Sequence, residues 1–420
     1  MDTVSQKHSF PKVGLLLLGF IALAIANGSR QSYGVFLPAL VKELGASNAK
    51  LSAAFSIIHL VNGSLAPFVG RSIDIYPPRP IFLLGTFLVT LAFALLGFIK
   101  ELWHIYILVA LLLAPGISCI GLTAVNTMIT RYFVAGRGTA LGFVAMGSGV
   151  GTFLYLFFSS ILISRLGWRE TFWFWGGLQL LILLPLVLKV LTIPKEDEPK
   201  GSHINQNQRN RTSIPWRSRN FILIYLLVIL FTMANFIFLM YTVLFAQSKG
   251  LTYVYAAQAF SLVGISNALG SMILGSLSDL FRHRIMSLVL AIGLVIAALV
   301  LILALPTNYP LLIVSSILFG LGMGGYYPIL PVLVGELFDH NQIGSIYGAT
   351  LLAGGIGAFV GPVVGGRVYD LTTSYSFTMG IALVFALLAI SIALLLVMKN
   401  VHKKEDYHDY VNKGSCRKPA

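Results

Sequence analysis

The chain has 420 residues, 57% of them hydrophobic and only 10% charged, and its mean hydropathy is +0.85. That composition excludes a water-soluble globular domain and places the chain in a lipid bilayer. A net charge of +14 does not indicate a nucleic-acid partner, because the basic residues are scattered through short loops and tails instead of clustering with aromatics; the two cysteines, Cys119 in an apolar run and Cys416 in a polar tail, form neither a metal nor a redox spacing.

A membrane-crossing helix needs about 20 apolar residues. Runs of that kind predict twelve spans, near residues 13–40, 50–70, 80–99, 103–130, 138–162, 171–191, 221–246, 254–276, 285–305, 309–337, 343–366 and 376–398. The first follows Lys7 and Lys12 as a signal-peptide core would, yet the apolar pattern resumes from Gly34 to Leu40, so it reads as an uncleaved span. It also holds Arg30, flanked at helical spacing by Asn27, Tyr33 and Gly34. An arginine at a span centre costs on the order of 3 kcal/mol, so it faces a cavity or a partner; the other reading is that it snorkels to the interface. In the second span stands His59, the one histidine well inside a span, with Asn62 a turn further on. It is a structural residue or a proton carrier, imidazole being the side chain that titrates near neutrality. Pro115 in the fourth span and Pro328 in the tenth are placed to kink their helices. Glycines such as Gly147, Gly149 and Gly151 in the fifth span allow close helix packing.

Between the sixth and seventh spans, residues 195–219 are polar, charged and rich in Asn and Gln, which suits a linker. The expected units are therefore a six-helix half over 1–194, the linker, a second six-helix half over 220–399 and a tail over 400–420. An internal repeat supports this division: Gly70, Asp74 and Arg79 after the second span recur as Gly275, Asp279 and Arg284 after the eighth, at a constant offset of 205 residues. Of the 29 Lys and Arg residues, 21 fall on the side of the termini and linker. Seven (Lys42, Lys50, Lys100, Arg165, Arg169, Lys249 and Arg367) fall on the other. Basic loops stay inside, so both termini and the linker are expected to be cytoplasmic. Two parallel halves of this kind make a transporter architecture.

The repeated loops, and the stretches Ser32–Leu40, Arg131–Gly151, Gly167–Gly177, Gly320–Pro328 and Gly335–Tyr375, resemble the major facilitator superfamily and, within it, the branch of monocarboxylate transporters and oxalate/formate exchangers. The resemblance implies an all-α membrane protein whose twelve helices form two pseudo-symmetric halves. It also implies that spans one, four, seven and ten face a central cavity, which adds Asn126, Asn235, Tyr241, Tyr326 and Tyr327 to Arg30 and Tyr33 as candidate substrate contacts. His59 is the candidate for proton coupling, and Gly70, Asp74, Arg79, Gly275, Asp279 and Arg284 for conformational gating. There are departures. The eighth span carries no charge, the eleventh has only Arg367 at its end, and the fourth lacks the arginine of antiporters. The Gly-Pro-x-x-Gly-Gly element of drug antiporters stands in the eleventh span, Gly361 to Gly366, instead of the fifth. Arg30 is thus expected to do from the first half what basic residues of the second half do in those relatives.

Every Asp and Glu lies in a loop, a tail or at a span end, so the spans hold no paired carboxylates, metal ligands or activated nucleophile. The expectation is no enzyme, cofactor or metal. It is a secondary active transporter that moves a small, monocarboxylate-like organic anion by alternating access, by proton symport or anion exchange; efflux of an apolar or cationic compound is the alternative. The partners expected are that solute and the bilayer of a plasma or bacterial inner membrane, with a monomeric protein and no nucleic acid.

Overall fold

A computed structural model describes residues 9–133, 137–191, 217–280, 285–304, 308–338 and 343–414. Among them the chain is helical, with no strand. The first half comprises α1 (Ser9–Gln31), α2 (Tyr33–Leu44), α3 (Asn48–Ile75), α4 (Pro78–Leu96), α5 (Leu102–Leu108), α6 (Ala114–Ile120), α7 (Leu122–Tyr132), α8 (Arg137–Arg165) and α9 (Trp168–Val190). The second comprises α10 (Arg219–Ser248), α11 (Tyr253–Leu280), α12 (Ile285–Ala304), α13 (Tyr309–Leu337), α14 (Ile343–Thr372) and α15 (Tyr375–Gly414).

Among the described residues, eleven stretches are long and apolar enough to cross a membrane, with α1 and α2 counting as one crossing and α5 to α7 as another. The twelfth crossing is α3, whose 28 residues suffice in length but are interrupted by Asn48, Lys50, Ser52, Ser56, His59 and Asn62. Two crossings are broken where the apolar pattern shows no break. The first is interrupted at Ser32, between α1 and α2. The fourth loosens into a π-helical turn over Val109–Leu113 and adopts an extended backbone at Gly121, φ −86° and ψ −165°. Pro115 sits in the first turn of α6, directly after the π turn, where its missing N–H costs least. By contrast α13 continues as one helix through Pro328. At the C-terminus α15 extends to Gly414, well past its apolar stretch, which ends at Val397.

Alternation of the helices puts the end of α9 and the start of α10 on one face, here the near face; Leu44, Asn48, Ser248, Tyr253 and Thr372 lie at the far face. Within the first half, glycine sets the helix spacing. Gly147 and Gly151 of α8 lie against the carbonyls of Phe20 and Ala24 in α1, and a β-carbon at either would collide with α1 backbone. Between the halves, α3 packs on α14, α8 on α11 and α2 on α10. Toward the far face these seams are tied by hydrogen bonds from Asn48 and Ala49 to Asp370, from Asn48 to Tyr375, between Ser52 and Tyr241, and from Tyr253 to the Val35 carbonyl.

Candidate functional site

A small open-mouthed cavity of about 20 Å³ lies where the halves meet. The first crossing contributes Arg30, Gln31, Tyr33 and Gly34, α3 contributes Phe55, Ser56 and His59, and α10 contributes Phe236, Leu239 and Met240. The break at Ser32 shapes this wall. Ser32 still donates to the Gly28 carbonyl at 3.1 Å, but the next bond is the tighter Val35 N–H to Ser32 carbonyl, 3.0 Å, so the helix is locally overwound beside Arg30. Two residues on, Gly34 presses against the carbonyls of Leu239 and Met240, an approach that only a residue without a β-carbon allows.

Arg30 is held in place by a chain of amide contacts. Its Nη2 donates to Asn27 Oδ1, while Asn27 Nδ2 donates to Ser148 Oγ of α8 at 3.0 Å and to the Leu23 carbonyl at 3.3 Å. The guanidinium is thereby aimed by two helices. Tyr33 is buried, stacks on Phe55 at 4.1 Å between ring centroids, and has no hydrogen-bond partner for its hydroxyl among the described residues. The same is true of buried Ser56 Oγ. The His59 imidazole meets Phe236 of the other half edge-on at 4.2 Å. A permanent cation, an imidazole, the Gln31 amide and two unengaged hydroxyls thus converge in a wall whose remaining side chains are apolar, a few polar groups fixing orientation within a greasy pocket.

The other residues proposed from the sequence lie elsewhere. Asn126 is half-buried on α7. Asn235 is buried on α10, and its side-chain amide donates to the Phe231 carbonyl of its own helix at 2.7 Å. Tyr241 sits at the far-face seam, bonded to Ser52 and donating to the Pro362 carbonyl at 2.8 Å. Tyr326 is buried with its ring 4.6 Å from that of Phe231. The side chain of Tyr327 is outside the described residues. Of the repeated loops, Gly70 lies beside Thr123, Arg79 is half-buried at the start of α4, and Gly275 is half-buried on α11. The backbones of Asp74 and Asp279 are helical but their side chains, and all of Arg284, are outside the described residues.

Sequence reasoning did not single out Ser56, Ser148, Arg131 or the α10 wall. Ser56 had a signal: Asn48, Ser52 and Ser56 recur every four residues and form one stripe on α3. Arg131 donates to the carbonyls of Ile73 at 2.9 Å and Tyr76 at 3.3 Å, closing the near-face end of α3 as cations do at helix C-termini. Phe236, Leu239 and Met240 gave no signal, being apolar residues in an apolar span.

The family model described as "Major Facilitator Superfamily" matches residues 19–362 and 264–409. The chain is 25% identical over 357 residues to "Monocarboxylate transporter 12" of Mus musculus, covering 77% of this chain and 72% of that one. It is 26% identical over 352 residues to "MFS-type transporter 1" of Ophiocordyceps sp. (strain BCC 1869), covering 83% and 76%. It is 24% identical over 404 residues to "Uncharacterized MFS-type transporter YcxA" of Bacillus subtilis (strain 168), covering 94% and 97%. Among solved structures, the nucleoside transporter NupG superposes with a TM-score of 0.71 at 15% identity, covering 92% of this chain and 98% of that one. A bacterial homolog of the human lysosomal transporter Spinster, inward-facing and unoccupied, gives 0.72 at 16% identity, covering 92% and 97%.

Proposed function

The chain belongs to the major facilitator superfamily of membrane transporters, and from that premise we propose that it moves a small organic anion by alternating access, holding it in the Arg30 cavity between the halves. One observation carries the reading: the guanidinium of Arg30, oriented by Asn27 and Ser148, stands in the wall of that cavity. Guanidinium is a planar fork that matches a carboxylate with two parallel hydrogen bonds. The likeness to Monocarboxylate transporter 12 points the same way.

Charge then sets the coupling. Bringing one negative charge into a cell costs about 2.3 kcal/mol per 100 mV of inside-negative potential, so uptake requires a companion proton or exchange against another anion. His59 shares the cavity with Arg30 and is the proton site of the first scheme. In the sequence, 21 of the 29 basic residues belong to the termini, the linker and the loops assigned to their side, so the near face is read as the cytoplasmic one, with both termini and the linker facing the cytoplasm of a cell bounded by this membrane. Asp74 and Asp279, at the near-face ends of α3 and α11, are the proposed gating residues on that side. The protein works as a monomer, since one chain supplies both halves of the cavity.

The test is flux in reconstituted vesicles with radiolabelled short monocarboxylates and, separately, a cationic dye. Monocarboxylate flux is expected, and Arg30→Gln should weaken anion binding by about 10- to 100-fold, the range for losing hydrogen bonds to a charged group. Arg30→Lys should retain part of it. Dye flux without anion flux would establish efflux of a cationic compound instead, and undiminished anion binding by Arg30→Gln would move the site elsewhere.

A further inference from the structure

We propose that Asp370 is the latch of a far-face gate: its carboxylate, carried by α14 in the second half, caps the N-terminus of α3 in the first half, and its release opens the cavity to the far side. Alternating access requires the far-face seam to part once per cycle. Among the far-face contacts named above, the latch is the one that sets a carboxylate on helix amides, and it goes beyond the proposed function because it does not depend on which solute is carried.

The first amides of any helix lack intrahelical acceptors. At the start of α3 the N-cap residue Ser47 serves one of them, accepting from Lys50 N–H at 3.4 Å. The two before it are served from across the molecule. Asn48 N–H donates to Asp370 Oδ1 and Ala49 N–H to Asp370 Oδ2, each at 3.3 Å. A carboxylate is the favoured group there, since the aligned peptide dipoles make a helix N-terminus electropositive.

The surrounding residues are arranged to deliver this contact. One turn before Asp370, Gly366 lies so close to Ala49 that a β-carbon would fall 2.5 Å from its N and Cα, so glycine is what lets α14 approach α3. Just after α14, Thr373 adopts φ 55°, a left-handed conformation unusual for a β-branched residue, and its N–H donates to the Tyr369 carbonyl at 2.7 Å. That turn brings Tyr375 onto Tyr369, ring centroids 3.9 Å apart, and Asn48 Nδ2 donates to the Tyr375 hydroxyl at 3.4 Å. One turn along α3, Ser52 bonds Tyr241; one turn further, Ser56 reaches the cavity wall. The polar stripe Asn48, Ser52, Ser56 therefore runs from the latch to the binding site. When the seam parts, water can serve the two α3 amides and the carboxylate, which is why the contact can break and re-form.

The test uses the full chain in lipid nanodiscs, without substrate, with spin labels at Lys100→Cys and Lys249→Cys. Both positions are exposed far-face sites in opposite halves. Cys416 is replaced by serine and buried Cys119 is kept. Pulsed electron–electron distance measurements report the ratio of far-open to far-closed populations. Asp370→Asn keeps the shape but removes the charge and should raise that ratio about tenfold, a shift of the size charged groups produce at helix termini. Asn48→Pro should shift it the same way: it deletes the backbone N–H that Asp370 accepts and the side-chain amide that donates to Tyr375, and proline is accepted at the first helical position after Ser47, whose φ −66° and ψ 152° suit a residue before proline. Because Asn48→Pro leaves Asp370 untouched, it decides the matter if Asp370→Asn does not fold. An unchanged ratio in the folded variants, or a shift toward the closed population, overturns the latch.

Discussion

The two long seams between the halves occupy equivalent places in the pseudo-symmetric fold and have different chemistry. Where α8 meets α11 the contact is made by small residues: a β-carbon on Gly149 would lie 2.6 Å from both the Gly264 carbonyl and the Ala268 side chain. A β-carbon on Gly264 would in turn strike the Phe153 backbone. Where α3 meets α14 the contact is polar and titratable, running from Asp370 on the α3 amides past Asn48 and Tyr375 toward His59, beside which Gly355 lies. Backbones in van der Waals contact can tilt against one another without exchanging hydrogen bonds; a polar seam must break specific bonds to move. The difference assigns a pivot to the first seam and a switch to the second.

The largest expected effect tests the pivot. Gly264→Leu puts four carbons where the structure has no room for one, against backbone that cannot swing aside. Overpacking of this kind costs about 1–3 kcal/mol or more. Thermal unfolding in detergent should show a clear loss of stability, and flux should fall at least about tenfold through the same crowding. Wild-type flux in a stable Gly264→Leu protein would mean that the α8/α11 contact is not maintained through the cycle.

A smaller effect sharpens the switch. If His59 carries the companion proton, lowering the pH on the far side raises proton occupancy of the cavity and so raises anion uptake, by at most about tenfold per pH unit for a single proton. His59→Gln keeps a polar side chain of similar length but cannot be protonated. Its uptake should be flat with pH while exchange between anions on the two sides persists. A pH-independent wild type would make His59 a packing residue against Phe236 and the protein an exchanger.

These contrasts also mark what the sequence could convey. The crossings were legible because bilayer insertion demands long apolar runs, and even α3, the least apolar of them, was bounded by its neighbours. Arg30 and His59 were legible because a charge or an imidazole inside a span is costly enough to need a reason. The apolar half of the cavity was not: Phe236, Leu239 and Met240 differ from lipid-facing residues only in what they touch. Nor were the breaks at Ser32 and Gly121, which hydropathy does not register. Asp370 was hidden in another way. As an acid at a span end it read as a loop residue, and only the approach of α14 to α3, 322 positions back to Asn48, reveals its partner.

The smallest expected effect is the most discriminating, because it concerns one glycine on the polar seam that resembles Gly264 in sequence and not in surroundings. A β-carbon at Gly355 would meet only the His59 carbonyl, at 3.3 Å, and that carbonyl's carbon at 3.9 Å. A displacement of a few tenths of an ångström relieves it. Against that small crowding, alanine in a helix interior gains about 0.5–1 kcal/mol over glycine. The terms nearly cancel, so Gly355→Ala should change stability by no more than about 0.5 kcal/mol, as substitutions without a specific collision do. Flux should stay within about twofold of wild type, since a change of that size is a factor of roughly two. Thermal unfolding and vesicle flux on the same preparation read both. A loss as large as that of Gly264→Leu would show that the close backbone contact of Gly366 on Ala49 at the far-face end of the α3/α14 seam extends along it to His59, and the division into pivot and switch would have to be given up.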